Sequence, residues 1–176
     1  MKQPIKLKNG RLSIRDVSLE DADILCRWWN NGQLMIHVGF PRGLGTDIQK
    51  VRRQLSSPES GSHLCLLELD GRPVGEISYR DKGNHVAFIG VKVCDLDEQG
   101  KGHGTNFIRM FLGYLFQDLH FKKVTLDTLL SNKRAQNVYE KIGFRRVGVS
   151  HGTWTDQLGE LQAGVDYELD KADFLQ

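Results

Sequence analysis

Between an apolar run ending at Val93 and another beginning near Thr105 lies the connection Cys94-Asp-Leu-Asp-Glu-Gln-Gly-Lys-Gly-His-Gly, with glycines at 100, 102 and 104. Glycine lets a backbone approach a ligand closely, and the first amides of a helix point outward, unpaired, at the positive end of its dipole. The chemistry this favours is the binding of a phosphate group. A Walker A loop needs Gly-x-x-x-x-Gly-Lys-Ser/Thr, but Lys101 sits inside the glycine run rather than at its end. A dinucleotide fingerprint needs Gly-x-Gly-x-x-Gly after the first parallel strand, whereas residue 105 is Thr and the preceding strand closes an antiparallel meander. The pattern Gln/Arg-x-x-Gly-x-Gly/Ala is met at every fixed position by Gln99-Gly-Lys-Gly-His-Gly104.

A second segment follows later in the chain: Asn132, then Ala135, then Tyr139-Glu-Lys-Ile-Gly-Phe144. Together the two segments resemble the GNAT acetyltransferase family, with its Asn-x-x-Ala...Tyr-x-x-x-Gly-Phe stretch. The resemblance implies an acetyl-CoA-dependent N-acetyltransferase in which an amine attacks the thioester directly. It implies that Gln99, Gly100, Lys101, Gly102, His103, Gly104 and Thr105 cradle the coenzyme A pyrophosphate, and that Val91 and Val93 pair their backbone with the pantetheine arm. Tyr139 occupies the position that donates a proton to the leaving sulfur, and Asn132 that of a coenzyme contact. The residues also admit plainer roles: Val91, Val93 and Tyr139 as core, Lys101 as a solvated cation, and Asn132 as a helix N-cap.

An alkyl amine of pKa about 10.4 is mostly protonated at neutral pH, and freeing its lone pair costs roughly 4 to 5 kcal/mol, so a base is needed. Candidates are Glu76, Asp95 and Asp127. Asp127 ranks first because Leu126-Asp-Thr-Leu-Leu-Ser-Asn132 resembles the Thr-Asp-Pro-Ser-Pro-Ser-Asn segment of aminoglycoside 6'-N-acetyltransferases, without its two prolines. Trp28-Trp-Asn-Asn31 and Gly152-Thr-Trp-Thr-Asp-Gln-Leu-Gly159 instead resemble the RimJ/RimL-type branch, which acetylates protein N-termini. Trp29, Trp154 and Asp127 are therefore the candidate acceptor contacts. The expected acceptor is the primary amine of a small aminoglycoside- or polyamine-like molecule. The alternatives are a protein N-terminus or a non-catalytic acetyl-CoA-binding module.

These residues need elements to hold them. Leu12 and Ile14 alternate with polar residues as a strand, and Ser18 with Asp21 forms a capping-box-like start to a helix carrying Ala22, Leu25, Trp28 and Trp29, ended by Asn30-Asn31-Gly32. Residues 38–62 are broken by Gly and Pro, with a short helix over 48–55. Strands over 63–69, 73–80 and 85–93 are joined by turns short enough to make an antiparallel meander. A buried helix with Phe107, Ile108, Phe111, Leu112, Leu115 and Phe116 on one stripe follows the glycine turn. A strand through Val124 and Leu126, a helix from Ser131 or Asn132 to Gly143, and strands near 144–149 and 165–169 complete the order.

The expected fold is thus α/β (α+β): a GNAT fold with a mixed, mostly antiparallel six- to seven-stranded sheet, flanking helices and splayed central strands, forming one acetyltransferase domain over residues 1–176. A hydrophobic share of 39% with 26% charged residues is that of an ordinary globular chain, which excludes disorder. The 24 basic and 22 acidic residues leave a formal charge of +2, too balanced for a dedicated nucleic-acid or membrane-surface binder. No stretch reaches membrane-spanning length and no leader pattern opens the chain, so a cytoplasmic location is expected. Cys26, Cys65 and Cys94 are scattered and the six histidines form no ligand-spaced cluster, which argues against a metal. The family resemblance further implies a homodimer paired through late strands.

Overall fold

The structure, a computed structural model, describes residues 3–174, with the Thr153 side chain left outside the description. Eight strands form one sheet in the order β1-β2-β3-β4-β5-β6-β8-β7. They are β1 (Lys6–Asn9), β2 (Leu12–Asp16), β3 (Ser62–Leu69), β4 (Arg72–Asp81), β5 (Val86–Val93), β6 (Lys123–Leu129), β7 (Arg145–Thr155) and β8 (Leu161–Asp170). The expected count of six to seven strands is corrected to eight. Lys6–Asn9 is a short edge strand with little apolar signal of its own, held by pairing with β2. The last two strands also run well beyond 144–149 and 165–169. One register shift, between Arg146 and Gly148, falls inside the expected strand and a second, between Ser150 and Trp154, interrupts the outer half, so the alternation does not carry on past 149.

Every neighbouring pair is antiparallel except β5 and β6. That pair is parallel and holds only from Val86↔Lys123 to Phe88↔Thr125. Beyond Phe88 and Thr125 the two strands part, leaving a wedge bordered by Ile89–Val93 on one side and Leu126–Leu129 on the other.

Helices α1 (Ala22–Trp29), α2 (Gly32–Met35), α3 (Ile48–Ser56), α4 (His103–Gly113), α5 (Lys133–Ile142) and α6 (Lys171–Phe174) flank the sheet, and α4 continues through a π-helical turn over Tyr114–Asp118. On one face α4 and α5 bury Phe107, Phe111 and Phe116 against Ile14, Ile77, Tyr79, Ile89 and Tyr167. A fully buried side chain of this size contributes about 1.5–3 kcal/mol. On the other face α1 and α3 cover Leu64 and Leu66 with Leu25 and Val51. The capping box expected at Ser18 and Asp21 is present. Asn30 closes α1, but Asn31 starts α2 by accepting from the Gln33 and Leu34 amides. Among the described residues no helix is long and apolar enough to cross a membrane.

Candidate active site

The glycine turn folds as its composition requires. Gly100 and Gly102 adopt φ of +76° and +83°, a region where other residues are strained. Gly102 precedes the first turn of α4, and no side chain caps that end. By contrast α3 and α5 are capped by Asp47 and Asn132. The uncapped amides of α4 therefore remain available to an anion. Gln99 fixes the turn from below, its Nε2 donating to the Val93 carbonyl at 2.8 Å.

Charge gathers around this turn. Glu98 holds Lys101 at 3.4 Å, His103 at 3.3 Å and Arg72 at 3.2 Å. Arg72 also pairs with Asp95, and that guanidinium is the main cause holding the Asp95 carboxyl below the usual range. Asp95 is thereby committed to Arg72 and to capping the short turn Leu96–Glu98. One cation was missed in the sequence: Arg134, in the first turn of α5, reaches the Gln99 side chain at 3.4 Å, and a Cβ placed on Gly100 would lie 3.4 Å from its Nη2. No local pattern marks Arg134, since the turn it meets lies 35 residues earlier.

Asn132 caps α5, its Oδ1 accepting from the Ala135 amide at 3.2 Å while Nδ2 donates to Thr128 Oγ1. Gln136, only 2% exposed, donates to the Leu129 and Leu130 carbonyls and pins α5 to the end of β6. One turn on, Tyr139 packs edge-on against Phe144 and Tyr167. It is 7% exposed, and its hydroxyl has no hydrogen-bond partner among the described residues. Since no side-chain N or O atom among them is both occluded and unbonded, that hydroxyl must open to solvent. Burial, then the charge of Asp127, pushes the phenol up to about 12.

Strand alternation settles which acids share a face. Glu76 opposes Lys92 on β4 and β5, Phe88 adjoins Thr125 across the parallel pair, and Asp127 opposes Asp166 on β6 and β8. Glu76, Lys92, Asp127 and Asp166 therefore lie on one face, while Tyr139 packs on Tyr167 from the other.

The three candidate bases are not alike. Glu76 is 8% exposed and has both oxygens engaged, with Lys92 Nζ at 3.0 Å and Trp29 Nε1 at 2.9 Å. Asp127 has no basic partner among the described residues, and burial, followed by repulsion from Asp166, raises its carboxyl above the ordinary value. Asp127 nonetheless lies exposed to solvent on this face of the sheet. Trp154 lies elsewhere, at the β7–β8 tip, 37% exposed and pressed against Gly39. A concavity of about 610 Å³ between α3 and β3 includes Trp29 but none of the turn, Tyr139 or Asp127.

A wedge between parallel strands, free backbone edges, an uncapped helix start below it and a buried phenol beside it together form a site for an extended, phosphate-bearing acyl donor, so the fold and site are those of an acyltransferase. A family model described as acetyltransferase (GNAT) domain matches residues 11–145, and the chain belongs to that family. It is an acetyl-CoA-dependent N-acetyltransferase. It is 27% identical over 154 residues to aminoglycoside N(6')-acetyltransferase type 1 of Klebsiella pneumoniae, covering 80% of this chain and 77% of that one. Among solved structures it resembles spermidine N-acetyltransferase from Vibrio cholerae in complex with CoA and spermine, with a TM-score of 0.85 and 18% identity over 96% of this chain and 100% of the other. It also resembles RimL, a ribosomal alpha-N-protein acetyltransferase in complex with coenzyme A, with a TM-score of 0.81 and 15% identity over 92% and 95% of the two chains.

Proposed function

We propose that this enzyme acetylates the primary amine of a small cationic molecule of aminoglycoside or polyamine type, with Asp127 as base and Tyr139 as donor to the departing sulfur. The observation that carries this reading is the conjunction at the wedge: a buried phenol with no partner among the described residues, influenced by the charge of a carboxylate that has no counter-cation among them. Both the aminoglycoside relative and the spermidine-acetylating structural neighbour act on such amines, which supports the assignment.

Acetyl-CoA supplies an activated thioester. The uncapped amides of α4 and the free edge of β5 at Val91 and Val93 would hold its pyrophosphate and arm, with Arg134 and Lys101 adding positive charge. Asp127 attracts the substrate ammonium and accepts its proton directly or through water, and the freed lone pair attacks the carbonyl carbon as the C–S bond breaks. With its pKa raised to about 12, Tyr139 stays protonated at neutral pH. Complete transfer of its proton to a thiolate of pKa about 8.5 would be uphill by roughly 5 kcal/mol. Its role is therefore to stabilise the leaving sulfur by donating a hydrogen bond, while the net proton comes from the amine. Glu76, tied to Lys92 and Trp29, positions β4, β5 and α1 around the acceptor side.

The test is free-thiol release from acetyl-CoA with a panel of polyamines, aminoglycosides, amino acids and N-terminal peptides. Turnover with small polycationic amines is expected. Turnover with peptides alone would assign the enzyme to protein N-termini, and coenzyme binding without thiol release would mark a sensor.

A further inference from the structure

A hydroxyl that serves a leaving sulfur cannot also be tied down by a protein acceptor, and that of Tyr139 has no hydrogen-bond partner among the described residues. The orientation of its ring must therefore come from what the ring edges touch. Phe144 lies at a centroid distance of 6.1 Å and Tyr167 at 5.8 Å, both edge-on, the arrangement aromatic pairs favour. Phe144 sits just past the end of α5 and moves with it, whereas Tyr167 belongs to β8 in the sheet. Of the two, only Tyr167 can hold Tyr139 against the rest of the molecule.

Tyr167 is fully buried, yet its hydroxyl reaches out of the core to Glu140, the residue after Tyr139 on α5, and donates to Oε1 at 2.8 Å. Packing alone would be served by phenylalanine there. Arg146, which opposes Tyr167 on β7, completes the contact with the helix. Its Nη2 lies 3.4 Å from the same Glu140 oxygen and 3.0 Å from Gln136 Oε1, and its guanidinium stands 6.0 Å from the centre of the Tyr167 ring. Gln136 and Glu140 are neighbours one turn apart on the helix, and Tyr139 lies between them in the chain. Side chains from β7 and β8 thus grip α5 on both sides of Tyr139.

We infer that Tyr167 is a positioning residue: braced by Glu140 and Arg146, it holds the Tyr139 ring in its orientation and leaves the Tyr139 hydroxyl free. This role rests on the reading of Tyr139 as donor to the departing sulfur, and adds what keeps that donor in place.

The first arm of the test measures kcat with acetyl-CoA and spermidine for Tyr167→Phe, Tyr139→Phe and the double variant. Tyr167→Phe should lower kcat by about three- to ten-fold, well short of the loss a 1 Å misplacement can cause, with spermidine KM nearly unchanged. In the Tyr139→Phe background the same change should cost less than about two-fold, because no hydroxyl remains to be positioned. A merely structural role would lower kcat equally in both backgrounds, and that result would overturn the inference. Glu140 is half-exposed, so its variants keep the fold. Glu140→Leu should match Tyr167→Phe, whereas Glu140→Gln, which still accepts the Tyr167 hydrogen bond, should retain most of the activity.

The second arm needs no turnover. The chain has four tyrosines, so labelling their Cζ carbons gives four NMR signals, and that of Tyr139 is the one missing from Tyr139→Phe. Glu140→Leu should shift or broaden it, and Glu140→Gln should leave it in place. A Tyr139 signal indifferent to Glu140→Leu would overturn the brace even where the donor role stands. A signal that moves with Glu140→Leu, in an enzyme whose kcat ignores Tyr139→Phe, would uphold the brace and refute the donor role. Where spermidine is not acetylated, this arm alone decides.

Discussion

Tyr139 shows how a residue's surroundings decide its role. In water a phenol and a thiol differ little in acidity, by about 1.5 pKa units. Here burial among Phe144 and Tyr167, and the charge of Asp127, widen that gap in the direction that keeps the phenol protonated. Tyr139→Phe removes the hydroxyl without emptying the core, and should lower kcat by about 10- to 100-fold, at or below the bottom of the range for lost acid catalysis, because the phenol donates a hydrogen bond rather than a whole proton. Acetyl-CoA affinity, measured by calorimetry, should stay within about two-fold, since the proposed pyrophosphate site at the start of α4 is untouched; an unchanged kcat would remove Tyr139 from the chemistry. Asp21 illustrates the opposite case. Burial pushes its carboxyl upward, but the Arg15 guanidinium at 2.9 Å and the Ser18 amide at 2.7 Å prevail and lower it. A lowered folded value means stability that is present above the ordinary carboxylate range and lost as pH falls through it. Asp21→Asn should therefore destabilise the protein at neutral pH by about 1–3 kcal/mol and flatten its loss of stability on acidification, both read by denaturant titration across pH.

At the scale of elements, the turn and the two helices around it divide the work. The start of α4 offers amides, and α5 delivers Arg134 to the turn and Tyr139 to the wedge because Asn132 and Gln136 fix its origin on β6. The positive φ at Gly102 is the feature most open to test, because a Cβ there would meet nothing within 4 Å. Gly102→Ala thus introduces backbone strain of about 1–2 kcal/mol and no clash. If the turn holds the pyrophosphate, acetyl-CoA Kd should weaken by about ten-fold or more as the local backbone relaxes, with a modest fall in Tm. Affinity that is unaltered in a strained but folded variant would place the anion elsewhere. The glycines were readable in sequence because their spacing itself is the signal. Arg134 and Gln136 were not, since a polar residue on a helix carries no mark of the strand end it will meet.

Across the whole molecule, segments distant in sequence clasp one another. The β7–β8 tip docks on the loop between α2 and α3: Gln157 Oε1 accepts from the Arg42 amide at 2.8 Å and its Nε2 donates to the Gly43 carbonyl at 2.9 Å, while Trp154 packs on Gly39. Ile36, Val38, Phe40 and Leu44 remain largely exposed along that loop. Gln157→Ala should release the clasp. The expected result is faster amide exchange over residues 39–43 and a higher acceptor KM, with coenzyme affinity unchanged; exchange as slow as in wild type would show that Trp154 alone secures the loop. Apart from the helix over 48–55, the role of residues 38–62 was unreadable in sequence because glycines and prolines interrupt the periods on either side of it, and a contact that secures its loop comes from more than a hundred residues away.

The sequence by itself determined the order of elements, because glycine spacing, helix caps and apolar periods are local properties of the chain, and its resemblance to the GNAT family at two segments implied the donor. It also placed Asp127, Glu76 and Asp95 on strands or strand ends, yet could not rank them by environment. Only the tertiary structure paired Glu76 with Lys92 and Trp29, tied Asp95 to Arg72, and left Asp127 facing Asp166 without a cation among the described residues. Those differences arise from strand register and from the parting of β5 and β6. Register is a relation between segments far apart in sequence, so a carboxylate's role is decided by its neighbour across the ladder rather than by its neighbours along the chain.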